Sequence, residues 1–256
     1  SQVKDLSPLR GMRLRELDLS NTQVSEISGL KDVEAAELNL ENTKIRELTG
    51  LKNLKVKDLN VARTRVMDFR ALLGMPVESL DLSGSQIKDL TILTGMPLSA
   101  LNLAETKPMS FSSLRGMTLK YLNLSGTTFK DMSLLKDMPL KGLYLGDTGI
   151  SELNVVAGME ITELSLRNTA IKDYSAIRGM PLKYVDLQKC KLNDISFLQG
   201  MPLERVDISD NPIKSIASLA EAPVRWLDIS GTSVEDLSPL RKMPLKHLNV
   251  KGCVKP

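Results

Sequence analysis

Histidine is nearly missing from this chain. His247 is the only one in 256 residues, and no nucleophile signature stands beside it. That excludes a histidine-built metal cluster and argues against a Ser-His or Cys-His pair. There is no CxxC and no glycine-rich phosphate loop between a strand and a helix. No cofactor and no enzymatic activity are therefore expected. No apolar run is long enough to cross a bilayer, so membrane insertion is not expected. A net charge of +3 is too small to argue for nucleic acid. The opening residues, SQVKDLSPLRGM, lack the basic and apolar regions of a signal peptide. They begin inside a repeat, so the compartment stays unknown and a segment of a longer protein is one expectation.

Cysteine is scarce too. Cys190 and Cys253 lie 63 residues apart. That is three whole repeats of the period described below, or roughly 14 Å across stacked strands. A disulfide needs Cα atoms within about 7 Å. Two free, half-buried thiols are expected, and they say nothing about redox compartment.

What the chain has in abundance is self-similarity. The segment Val224 to Pro244, VRWLDISGTSVEDLSPLRKMP, is one repeat of 21 residues. Its apolar residues stand at positions 1, 4, 6, 11, 14, 17 and 20, with Thr at 9 and Pro at 21. Position 4 runs Leu17, Leu38, Leu59, Leu80, Leu101, Leu122, Leu143, Leu164, Val185, Val206, Leu227 and Leu248, with every step 21 residues. Eleven full repeats and two partial ones fill residues 1–256 with no insertion. One repeat domain without an internal boundary is expected.

Spacing sets the local structure. Positions 4 and 6 are apolar while 3 and 5 are mostly polar, which predicts a short strand with one face buried. "LSPL" at Leu6–Leu9 and Leu237–Leu240 puts Ser where a helical turn is capped, with Pro after it. Gly at position 19, as in Gly95 and Gly200, suits a left-handed exit, and Pro at 21 forces an extended one. Three residues between cap and Gly leave room for a 3-10 or single α turn. One such repeat cannot bury its own apolar set, so the repeats must stack into a parallel sheet with the turns behind it.

The pattern LxxLxLxxTxIxDLSxL, with LRELDL and LKHLNV at its strands, resembles the leucine-rich repeat. The "DLSPL" element resembles the internalin type, found in bacterial surface proteins that bind host receptors. The resemblance covers the whole chain. It departs in a period of 21, slightly shorter than the internalin repeat, in the "GMP" closing many repeats, and in the absence of a cap module. It implies a curved right-handed solenoid, with a parallel sheet on the concave face and 3-10 or single-turn helices on the convex face. It also implies ligand binding through the concave strand face.

Two columns have structural explanations. Thr at position 9 (Thr22, Thr148, Thr232) is expected to satisfy backbone groups where the chain leaves the sheet. Nine of the twelve methionines occupy position 20, where they are expected to fill core gaps. Position 5 faces outward and carries Asp186, Asp207 and Asp228 in three successive repeats. Parallel side chains on a flat sheet do not converge on an ion, so a solvated polar face is the expectation there. Asn123-Leu124-Ser125 matches a glycosylation sequon but lies inside a strand.

The aromatics separate into two groups. The four phenylalanines and Tyr174 lie at or beside core columns. Tyr121, Tyr184, Trp226 and His247 stand at position 3, and Tyr144 at position 5, all on the outward strand face from residue 121 onward. Arg205 and Arg225 are close by. Exposed Tyr and Trp beside Arg is the composition of an interaction hot spot. Lys120, Lys141, Lys183, Arg225 and Lys246 share position 2, a column that either steers an anionic partner or is ordinary solubility charge. The candidate site is Tyr121, Tyr144, Tyr184, Arg205, Arg225, Trp226, Asp228 and His247. The expected ligand is a protein or peptide, without nucleic acid. The competing readings are a structural or regulatory segment of a larger protein, and a surface for glycans or cations, where Tyr, Trp and Asp share one face.

Overall fold

Each alternating stretch becomes a strand, and each DLSxL element a 3-10 turn. A computed structural model describes residues 3–52 and 54–253. The chain forms two compact units, Ser1–Thr127 and Thr128–Pro256. The first contains β1 (Arg13–Asp18), β2 (Glu34–Asn39), β3 (Asp58–Asn60), β4 (Ser79–Asp81), β5 (Ala100–Asn102) and β6 (Tyr121–Asn123). The second contains β7 (Gly142–Tyr144), β8 (Glu163–Ser165), β9 (Tyr184–Asp186), β10 (Arg205–Asp207), β11 (Trp226–Asp228) and β12 (His247–Asn249). Within each unit neighbouring strands pair in parallel and in sequence order. The register is one repeat per rung, as in Leu59↔Leu80 and Val206↔Leu227.

Most strands span only positions 3 to 5. β1 and β2 are twice as long and pair from Arg13↔Glu34 onward. Both carry a residue with a backbone N–H at position 21, Arg13 and Glu34, where later repeats have Pro76, Pro97 or Pro181. Proline has no N–H to donate to the ladder, yet β3, β6 and β8 are equally short with Lys55, Thr118 and Glu160 at that position, so proline alone does not set the strand length.

The core lies between strands and turns. Positions 4 and 6 are essentially closed to solvent through most of the chain, as at Leu82, Leu164 and Ile229. What buries them is the next repeat. Leu227 has 0% of its surface exposed, and Leu248, in the same column with no described repeat beyond it, has 41%. The methionine column is buried at Met75, Met96, Met138, Met180, Met201 and Met243, in keeping with gap filling.

The threonine column also does what its position suggests. Thr22, Thr43, Thr64, Thr106, Thr127, Thr148, Thr169 and Thr232 each donate the hydroxyl to the carbonyl three residues back, at 2.5–2.9 Å. Cys190 and Cys253 are free and occupy the same column. They are buried rather than half-buried, because the side chain at position 9 turns inward onto the preceding repeat. Their thiols reach carbonyls of the preceding repeat, Leu166 at 3.1 Å and Ile229 at 2.8 Å.

The turn caps differ from expectation. Ser7 and Ser238 are the first residues of their turns, and no side chain of the preceding residue caps them. The cap comes from position 13. Asp5, Asp68, Asp89, Asp131, Asp173, Asp194 and Asp236 each accept the backbone N–H two residues on, at 2.8–3.0 Å. In a 3-10 turn this short, an Asx-type bond reaches the first orphan donor before a serine inside the turn can. Position 19 takes the left-handed conformation foreseen for it, at Gly74, Gly95 and Gly200. Position 8 is also left-handed at all twelve of its occurrences, including Asn21, Arg63 and Lys189, and the amino-acid pattern did not reveal it.

Candidate functional site

The outward strand face of the second unit carries most of the residues picked out from the sequence. Its geometry follows from repeat register. Position 3 of β9, β10, β11 and β12 is Tyr184, Arg205, Trp226 and His247, and these pair directly: Arg205↔Tyr184, Arg205↔Trp226, Trp226↔His247. Rungs of a sheet are about 4.8 Å apart, which is also a stacking distance for planar groups. Four planar side chains at consecutive rungs therefore form a ladder. The Arg205 guanidinium carbon lies 4.4 Å from the Trp226 ring centroid and 5.5 Å from that of Tyr184. Trp226 and His247 stack at 5.1 Å with planes 5° apart. Arginine between two aromatic faces is a doubled cation–π contact.

Tyr144 joins from β7. Its ring centroid is 6.4 Å from that of Tyr184, tilted by 37°, and its hydroxyl donates to the Glu163 carboxylate. Packing leaves Tyr144, Tyr184 and Trp226 half-buried, with Arg205 and His247 exposed. Burial pushes the Tyr184 phenol up to about 12, with Asp186 adding to the shift, so it stays protonated at neutral pH. Tyr121 stands on β6 of the first unit, 43% exposed. Arg225 is exposed at position 2, just before Trp226.

Asp228 belongs to a row at position 5, in register with Asp207 and Asp186. Each closes the end of its strand by accepting a backbone N–H: from Gln188 at 3.1 Å, Ser209 at 3.0 Å and Ser230 at 2.8 Å. The outer two also receive a donor from the neighbouring repeat. Ser165 Oγ donates to Asp186 at 2.9 Å, and Asn249 Nδ2 to Asp228 at 2.8 Å. Asp207, between two carboxylates, gains no such donor from either side. Burial raises its carboxyl, Ser209 lowers it, and Asp186 and Asp228 raise it further, for a net upward shift. No group of three or more His, Cys, Asp or Glu residues is placed to hold a metal ion among the described residues.

The first unit presents a different face. Glu16, Glu37 and Asp58 take position 3 on successive strands. With Asn39, Asn60 and Asp81 they line a shallow cleft of about 330 Å³. Asn123, the sequon residue, uses its Oδ1 to accept the Ser125 N–H at 3.0 Å.

Two members of the site were weighed too lightly from the sequence alone. Glu163 anchors Tyr144, and Arg205 is a rung of the ladder rather than a neighbour of it. The 21-residue interval from Tyr184 to Arg205 to Trp226 to His247 was the available signal for the second.

No family model matches the chain, and no curated protein matches it. Solved structures do. An internalin of Listeria monocytogenes, InlF, superposes with a TM-score of 0.72 at 20% identity, over 97% of this chain and 84% of that one. Internalin C2 of the same organism gives a TM-score of 0.60 at 30% identity, over 68% of this chain and 80% of its own. The functional domain of InlJ, also from Listeria monocytogenes and described as including a cysteine ladder, gives 0.61 at 17% identity, over 96% of this chain and 59% of that one.

Proposed function

We propose that this chain, which belongs to the leucine-rich repeat proteins of the internalin type, is a non-catalytic scaffold that binds a protein or peptide through the strand face of its second compact unit. The observation that carries the reading is the Tyr184–Arg205–Trp226–His247 ladder. Aromatic and arginine side chains that are already stacked lose little rotamer freedom on binding, which favours them as anchors. The remaining strand-face positions are small or polar and form a rim. The unbroken 21-residue period supports a single repeat domain across residues 1–256. The lone histidine supports a role without catalysis.

The test begins with a pull-down by the intact chain from its native cells, with mass spectrometry to identify the partner. Affinity is then measured for Trp226→Ala and Tyr184→Ala. Each substitution is expected to weaken binding by about tenfold or more. Unchanged affinity in variants with unaltered circular dichroism would sink the site. A glycan array that responds, with no protein captured, would favour a carbohydrate ligand instead.

A further inference from the structure

We infer that the partner of this face is an acidic protein segment. One of its carboxylates docks on the edge of the Arg205 guanidinium, and further acidic side chains lie toward Arg225 and Lys246. The inference rests on the protein-binding reading above and adds the chemistry of the partner.

Charges of both signs line the face, and the structure gives them different work. The aspartates at position 5 are engaged internally, closing their strands through backbone N–H groups. Asn102 and Asn123 do the same at that position in the first unit, at 3.0 Å each. The row is thus a variant of a structural column. Among the cations at positions 2 and 3, Lys141 is paired with Glu160 at 2.7 Å and Lys183 with Glu204 at 3.5 Å. Arg205 on β10, and Arg225 and Lys246 immediately before β11 and β12, are exposed and have no carboxylate within 4.0 Å among the described residues. The uncompensated charge at the N-terminal ends of these strands is positive.

Arg205 is also prepared for one particular anion. Its guanidinium carbon sits over both the Tyr184 and the Trp226 rings while the residue stays exposed, so the two rings hold the head group in place and leave N–H donors open to solvent. A fixed planar fork matches a carboxylate bidentately. The Asp186–Asp207–Asp228 row lies two residues further along the same strands and repels acid. The partner's carboxylates must therefore gather over positions 2 and 3, with neutral or basic groups over position 5. The charge pattern selects an orientation as well as a sign.

The probe is a fluorescein-labelled octaglutamate peptide, titrated against the intact chain by fluorescence anisotropy at about 50 mM and about 150 mM salt. Octalysine and octathymidylate serve as comparators. Octaglutamate is expected to bind, more weakly at the higher salt, and octalysine not to bind. Arg205→Gln should weaken octaglutamate about tenfold or more, with Arg205→Lys restoring only part because it loses the planar fork. The double substitution Arg225→Gln, Lys246→Gln should weaken it and flatten the salt dependence. Lys136→Gln, on the turn side, should leave it unchanged. Circular dichroism confirms that each variant is folded. The inference is overturned if octaglutamate does not bind, if folded Arg205→Gln binds it as well as the parent, or if octalysine or octathymidylate binds as tightly. If octaglutamate fails while Trp226→Ala and Tyr184→Ala still weaken the captured partner, only the acidic chemistry falls. If those two substitutions change nothing, the binding face itself falls.

Discussion

Single residues here have one of two duties, and their hydrogen bonds tell which. The Thr148 hydroxyl is buried and donates to the Leu145 carbonyl at 2.6 Å. Thr148→Val keeps the shape and leaves that carbonyl without its side-chain donor. It should cost about 1–3 kcal/mol in urea unfolding, as an unmade buried bond does. Asp207 illustrates the opposite case. Its carboxyl is raised in the folded state, so the native protein binds that proton more tightly than the unfolded chain does. Its contribution to stability therefore falls as pH climbs from 3.8 through the raised value. Asp207→Asn should raise the melting temperature at pH 7 and have little effect near pH 3. An asparagine there can donate to a neighbouring carboxylate, as Asn102 does to Asp81 at 2.9 Å. The identity of these columns was legible from the 21-residue arithmetic. Their bonding was not, because composition does not fix where a hydroxyl or carboxylate turns.

At the scale of the element, seven of the 3-10 turns hang on an aspartate at position 13, and the Ser110 and Ser215 hydroxyls take its place in two others. The Asp194 carboxyl accepts the Ser196 hydroxyl at 2.6 Å and its N–H at 3.0 Å, and these bonds hold it below its ordinary value. The Ser175 N–H and Ser238 N–H do the same to Asp173 and Asp236, and Arg70 holds Asp68 down to about 2. A lowered folded value means stabilisation that is complete above 3.8 and lost as pH falls through the folded value. Acid titration of the folded chain should therefore loosen the turns before the strands, as read by amide hydrogen exchange. Asp194→Ala should lower the urea midpoint at pH 7 and do so progressively less below pH 3.8. The misassigned cap has a simple cause. Serine heads the DLSPL turn, but a side chain two residues upstream reaches the first free N–H with better geometry than serine's own.

For the molecule as a whole, stability passes from each repeat to its neighbour. Leu227 and Leu248 share a column, yet one is closed to solvent and the other is 41% exposed. Leu227→Ala should cost about 2–5 kcal/mol, and Leu248→Ala clearly less, when their chemical unfolding curves are compared. Deleting residues 161–181, one full repeat within the second unit, should leave a chain that folds with the same circular dichroism and a lower melting temperature. Removing ten residues from the same place should abolish the cooperative transition, because it moves every apolar column out of register.

The sequence alone determined the architecture. A strict period of 21 with seven apolar positions allows one economical burial scheme, and parallel strands backed by short turns supply it. It also located the candidate face, since whole-repeat intervals put Tyr184, Trp226 and His247 in one outward column. Only the tertiary structure decided what that column is. Stacking on neighbouring rungs turned separate side chains into a ladder with Arg205 held inside it, and set Asp207 between two like charges. The same stacking buried both thiols that local pattern left half-open. Periodicity specifies which residues become neighbours. Their contacts depend on rotamers that the neighbours choose together, and no single repeat contains that information.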